Sequence, residues 1–166
     1  MGVLDITGKD TVSFLRYVLA NDIAKLKNHG DAIYSCMLNE NGGVIDDLIA
    51  YRFSDDYFRL VINAGCREKD FAWLQSIQKR WREPARDNLR HDLNLAMRDD
   101  LCLLALQGPN AIEKLSSIFD KNTQEKIAAL KPFQFYMYDD TVIARTGYTG
   151  EPGVEMILPA ETAIKI

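Results

Sequence analysis

Apolar positions along the chain change period several times, and each change marks an element. Phe14, Leu15, Val18 and Leu19 recur at i, i+1, i+4 and i+5 behind Asp10 and Thr11 as a cap, which predicts an amphipathic helix over 11–19. Three strand-like runs follow, Ala32–Leu38, Val44–Phe53 and Tyr57–Asn63, divided by the turn sequences Asn39-Glu40-Asn41-Gly42-Gly43 and Ser54-Asp55-Asp56. Polar turns between β-branched and aromatic runs predict an antiparallel meander. Helical spacing returns at Phe71, Leu74, Ile77, Gln78 and Trp81, with Pro84 as the stop. Leu93–Met97 and Leu101–Leu106 read as strands. Gly108-Pro109 opens a helix expected to reach Phe119, and a short helix covers Gln124–Leu130. Phe133–Tyr138 and Val142–Arg145 form a hairpin, and a last strand, Val154–Leu158, leads into a helical segment at 159–166.

The order α-βββ-α-ββ-αα-βββ predicts an α+β fold of two halves, near 1–90 and 91–166, each an antiparallel sheet covered by helices. Leu4-Asp5-Ile6-Thr7 reads as the tail of an element whose start is missing, and the closing helix reaches no cap.

Composition narrows the function classes. With 47% hydrophobic and 27% charged residues over 166 positions the chain is globular rather than disordered. A net charge of −4 argues against a general nucleic-acid binder, which shows a basic excess. No apolar run approaches the ~20 residues of a membrane span, and the first residues form no secretory leader, so no membrane and a cytoplasmic location are expected. Cys36, Cys66 and Cys102 have no C-x-x-C spacing and are expected as reduced thiols, with Cys36 and Cys102 buried. His29 and His91 lie in no metal-ligand spacing, so no metal centre is expected. Lys79–Arg90 carries five basic residues against two acidic ones, read as a solvated helix end in preference to a docking site for an acidic carrier.

The densest chemical pattern is Gly42-Gly43-Val44-Ile45-Asp46-Asp47-Leu48-Ile49-Ala50-Tyr51, where two adjacent carboxylates interrupt an apolar strand. Neighbours in a strand point to opposite faces, so Asp47 lies with Ile45, Ile49 and Tyr51, and Asp46 with Val44, Leu48 and Ala50. One carboxylate must therefore meet a semi-apolar face, where it is either paired or used, unless it serves as an edge-strand charge. Asp47 and Tyr51 lie ~13 Å apart on one face, a span suited to an elongated flat ligand. Tyr34 comes close to Asp47 if the hairpin pairs around Asn41. A second pattern, Arg145 through Glu155, holds three glycines in seven residues, then Glu155 at the start of a strand. It lacks the Lys-Ser/Thr end of a phosphate loop. Its carboxylate could read paired N–H donors of an amidine-type edge such as a pterin or guanine; a decorated turn is the alternative.

Leu4–Asp10, Tyr34–Asn39, Gly42–Ile49, Val61–Ala64, Leu104–Pro109 and Arg145–Glu155 together resemble, in order, the T proteins of the glycine cleavage system, the tetrahydrofolate-dependent aminomethyltransferases. The related cluster-assembly folate proteins differ at the last motif. The resemblance implies a folate-binding aminomethyltransferase fold of two interlocked α+β halves. It makes Asp47 the essential carboxylate at the folate, with Tyr34, Tyr51, Val61 and Asn63 lining it and Glu155 holding the pterin edge. It implies a lipoylated H protein as partner and transfer of its aminomethyl carbon to tetrahydrofolate with release of ammonia. Because family members are longer at both ends, residues 1–166 are expected to be a partial folate-binding domain, with an incomplete cavity and without the C-terminal barrel. Other folate-dependent demethylases, and a folate-binding module without turnover, are the rival readings.

Overall fold

The structure, a computed structural model, describes residues 1–82, 92–115, 117–148 and 150–166. Pro84 and the basic residues Arg86 and Arg90, read above as a helix stop and a solvated helix end, lie outside the described residues. The chain divides into two units, Met1–Asp99 and Asp100–Ile166.

In the first unit the strands β1 (Gly2–Thr7), β2 (Ala32–Leu38), β3 (Val44–Ser54), β4 (Tyr57–Ile62) and β5 (Asn94–Met97) form an antiparallel sheet in the order β2-β3-β4-β1-β5. The meander is the one the turn residues predict. Asn39 Oδ1 accepts from the backbone N–H groups of Asn41 and Gly43, both at 2.9 Å, and Gly42 takes φ +79°, so the Asn-x-x-Gly-Gly sequence closes the β2–β3 turn. Leu4-Asp5-Ile6-Thr7 is in strand conformation. It belongs to a six-residue strand paired on both sides, to β4 and to β5. A strand enclosed in this way is buried on both faces, so its sequence shows no polar alternation to find it by.

Helices α1 (Thr11–Val18) and α2 (Arg67–Arg82) cover one face of this sheet. Thr11, Phe14, Leu15 and Val18 form the buried stripe of α1, and they meet Leu4, Ile6, Phe58, Leu60 and Ile62 of the sheet. Asp10 does not cap α1 with its side chain; its carboxylate accepts the N–H of Asp92 at 2.8 Å instead, tying the helix start to the segment before β5. Phe14 and Trp81 pack edge to face at 5.6 Å and join the two helices.

The second unit holds β6 (Leu101–Gln107), α3 (Ala111–Leu115), α4 (Lys121–Ala129), β7 (Phe135–Tyr138), β8 (Thr141–Ala144), β9 (Gly153–Pro159) and α5 (Ala160–Ala163), with sheet order β6-β9-β8-β7. Leu115, Phe119, Ile127, Ile143, Val154, Met156 and Leu158 make its helix-side core. The helix expected from Gly108 to Phe119 is shorter: α3 ends at Leu115. Ser117 Oγ bonds back to the Lys114 carbonyl at 2.8 Å, the local competition by which serine weakens a helix, and turns carry the chain to the buried Phe119. The three cysteines are free thiols, and Cys36 and Cys102 are half-buried rather than buried. Among the described residues no helix is long and apolar enough to cross a membrane.

Candidate functional site

Register decides what meets Asp47. Cys36 of β2 lies opposite Asp47 and Tyr34 opposite Ile49, so Tyr34 reaches Asp47 diagonally on the face away from the helices. The Tyr34 hydroxyl donates to Asp47 Oδ2 at 2.6 Å, and Asn63 Nδ2, just past the end of β4, donates to Asp47 Oδ1 at 2.7 Å. Both carboxylate oxygens are thus pinned, one by a phenol 48% exposed to solvent and the other by an amide. The hydrogen bond to Asp47, aided by burial and by the nearby negative charge, pushes the Tyr34 phenol up to about 12, so it remains a donor at neutral pH. The conformation of this acid is imposed from outside, by a tyrosine on β2 and an asparagine just past β4.

The neighbouring acid points to the helix side. Asp46 Oδ1 accepts from the Asp47 N–H at 2.9 Å and from Asn63 Nδ2 at 2.9 Å, so one amide bridges the two carboxylates where β3 begins and β4 ends. Asp46 in turn faces Asp70 of α2, which is 0% exposed, and the donor atoms of Asp46, Cys66 and Asp70 lie within 4.8 Å of one another. Burial works against the charge of Asp46, but the facing Asp70, the Asn63 amide, the Asp47 N–H and the nearby Cys66 outweigh it and hold its carboxyl at about 2. Asp70 moves the other way, to about 6, because it is buried and confronts a carboxylate; the Lys69 ammonium at 3.6 Å offsets this only in part. Lys69 Nζ also donates to the Ile45 carbonyl at 2.8 Å, which keeps it over the strand.

Tyr51 and Val61 share the sheet face of Asp47, paired with Ala32 and Arg59 and with Ile49 respectively, and both are buried, at 0% and 3% exposure. Further along that face Asp5 collects three partners. Arg59 engages it bidentately through Nε at 2.7 Å and Nη2 at 3.0 Å, Arg98 Nη1 donates at 2.5 Å, and the Tyr57 hydroxyl donates at 3.1 Å.

Glu155 belongs to the second unit, on β9, between Ala105 of β6 and Ala144 of β8. It is 9% exposed, and the Thr146 hydroxyl donates to its Oε2 at 2.5 Å. The preceding glycine loop is shaped by Gln107, whose Nε2 donates to the carbonyls of Thr146 at 3.2 Å and Val154 at 3.3 Å. A Cβ on Gly153 would sit 2.4 Å from the Leu106 carbonyl oxygen and 2.7 Å from Gln107 Oε1, so glycine is required here by close approach. Gly153→Ala is expected to cost about 1–3 kcal/mol of stability, since the obstacle is backbone and cannot swing away; urea unfolding measures it.

Tyr34, Asp47 and Asn63 therefore form one hydrogen-bonded group, Tyr51 and Val61 continue its sheet face, and Glu155 is set in its own loop. Sequence reading missed Asp70, Thr146 and Gln107 as organisers. Asp70 was detectable as a carboxylate on the stripe Asp70, Leu74, Ile77, Trp81, where helical spacing puts it among core residues.

Comparison with known proteins bears on the family and the fold. Residues 1–166 match the GCVT N-terminal domain family. A solved structure of the glycine cleavage system aminomethyltransferase T from Bartonella henselae is 33% identical to the chain and superposes with a TM-score of 0.78. The match covers 99% of this chain and 42% of that one, so the chain spans less than half the length of the protein it resembles. The mixed α+β architecture with antiparallel sheets is that of the aminomethyltransferase, and a chain matched over all of residues 1–166 belongs to the GCVT N-terminal domain family.

Proposed function

We propose that this chain supplies the tetrahydrofolate-contacting part of an aminomethyltransferase of the glycine cleavage type. Tetrahydrofolate is the one-carbon acceptor, and the aminomethyl group arrives on the lipoyl arm of an H protein. The observation that carries the reading is the fixed Tyr34–Asp47–Asn63 group on a sheet face continued by Tyr51 and Val61, in a member of this family.

The donor set fits such a ligand. Positive charge develops beside the acceptor nitrogen as an amine departs from the carbon under attack, and tetrahydrofolate supplies that nitrogen. Asp47 offers a carboxylate whose orientation Tyr34 and Asn63 settle before any ligand arrives, so its negative charge needs no reorganisation when the positive charge forms. Tyr51 and Val61, both buried, continue the packed sheet face on which that carboxylate stands. Glu155, held by Thr146, is the proposed acceptor for the paired N–H donors of the pterin edge.

The test is calorimetric titration with tetrahydrofolate, followed by ammonia release from aminomethyl-lipoyl H protein. Saturable binding lost in Asp47→Ala supports the reading; binding unaffected by that substitution sinks it. Tyr34→Phe is expected to lower turnover about tenfold, because a hydrogen bond to a charged group is worth roughly 1.5–3 kcal/mol and this one is half exposed. Steady-state kinetics at neutral pH checks it.

A further inference from the structure

Asp70 has no place in the reaction proposed above, yet it is the most unusual group in the first unit. Both of its carboxylate oxygens, and Oδ2 of Asp46, are buried and accept no hydrogen bond. A buried carboxylate with no donor is costly, and two facing each other are costlier. We infer that Asp46 and Asp70 share one proton, and that this acid pair is a positioning device which holds Asn63 and, through it, Asp47.

The proton explains the orphaned atoms together. Asp70 protonated donates to Asp46 Oδ2, satisfying that oxygen and one of its own, while Asp70 Oδ1 stays toward the Lys69 ammonium at 3.6 Å. Asp46 remains the carboxylate of the pair, as it must to accept both the Asp47 N–H and Asn63 Nδ2 on Oδ1. Asn63 Nδ2 then has its other acceptor in Asp47 Oδ1 at 2.7 Å. The chain of contacts runs from α2 past the ends of β3 and β4 to the site: Asp70, Asp46, Asn63, Asp47. The charged and titratable groups around the pair are Asp46 on β3, Cys66 in the turn before α2, and Lys69 on α2. A cation held by Asp46, Cys66 and Asp70 would also explain the orphaned oxygens, but the Lys69 ammonium already supplies positive charge there, and a proton needs no further ligands.

The sign of the linkage follows from Asp70 having its pKa raised in the folded state. Such a group contributes stability fully below the unfolded carboxylate value, and that contribution is lost as pH rises through about 6. Asp70→Asn keeps a donor at every pH. The Tm of Asp70→Asn minus that of the parent should therefore increase between about pH 4.5 and about pH 7.5, a window above the Asp46 titration. A difference that does not change with pH overturns the shared proton, and so does a parent Tm that falls on adding a chelator. Should Asp70→Asn fail to fold, carboxyl-carbon NMR of the parent decides: an aspartate titrating near pH 6 is expected, and its absence overturns the inference.

The positioning half rests on the folate reading and has its own arm. Asp70→Ala should weaken tetrahydrofolate binding about tenfold, with Asp70→Asn restoring most of it; equal affinity for Asp70→Ala and the parent overturns that half. If the parent binds no tetrahydrofolate, the proposed function fails while the pH-dependent Tm difference still stands or falls by itself.

Discussion

Replacing Asp47 by alanine is expected to reduce tetrahydrofolate-dependent ammonia release by about 100- to 1,000-fold, the range seen when a preorganised electrostatic group is removed from a developing charge. Two features of the site make the effect large. Tyr34 and Asn63 spend their donors on this carboxylate, so its removal leaves two donors facing the ligand where an acceptor stood. Neither neighbouring carboxylate can substitute for the charge: Asp46 is turned to the helix side and committed to the Asp47 N–H, Asn63 and Asp70, and Asp5, further along the face, is taken by Arg59, Arg98 and Tyr57. Asp47→Asn should recover little, because an amide keeps the shape but presents an N–H to one of the two donors. A single-turnover assay with aminomethyl-lipoyl H protein checks both variants, and circular dichroism confirms that the sheet survives.

The largest loss of stability is expected elsewhere. Asp5→Ala should cost about 3–5 kcal/mol, the penalty of leaving a buried charge without its partner. Arg59 is 5% exposed, and Asp5 is its bidentate counter-ion, so the substitution strands a guanidinium inside the sheet. Arg98 and Tyr57 lose their contacts to the same carboxylate. Urea unfolding of the variant gives the number. Asp5→Leu distinguishes charge from volume: a loss as large as for alanine assigns the effect to the stranded arginine, whereas recovery would assign it to the cavity.

How much of this could be read in the residues depends on whether each feature is local. The meander, both longer helices and the terminal hairpin strands follow from turn residues and periodicity within a dozen positions, and they stand close to where those patterns put them. The opposite faces of Asp46 and Asp47 follow from strand alternation alone, and so does the meeting of Asp47 with Tyr34, once the Asn-Gly-Gly turn sets the register. Three things escaped that reading. β1 hides because both its faces are buried. The early end of α3 depends on a serine hydroxyl choosing its own backbone. The Asp46–Asp70 pair joins a strand to a helix through tertiary packing, and only the odd presence of an acid on an apolar stripe hints at it. Gln107 is of the same kind: its position on β6 says nothing of the glycine loop it gathers, which lies some forty residues downstream.

The placement of β1 bears on how the polypeptide reaches its native state. Strands β2, β3 and β4 can zip together as hairpins while the chain is being made, each needing only its immediate neighbour. β1 precedes its partner strands in the chain but cannot be fully paired until β5 has followed, since Arg98, 93 residues away, is needed even to complete the ring of donors on Asp5. Closing so long a loop is slow, and until then β1 is an apolar strand with unsatisfied edges. Nascent chains stalled before residue 97 should therefore hold a folded meander and a β1 whose β5 side is open and chaperone-accessible.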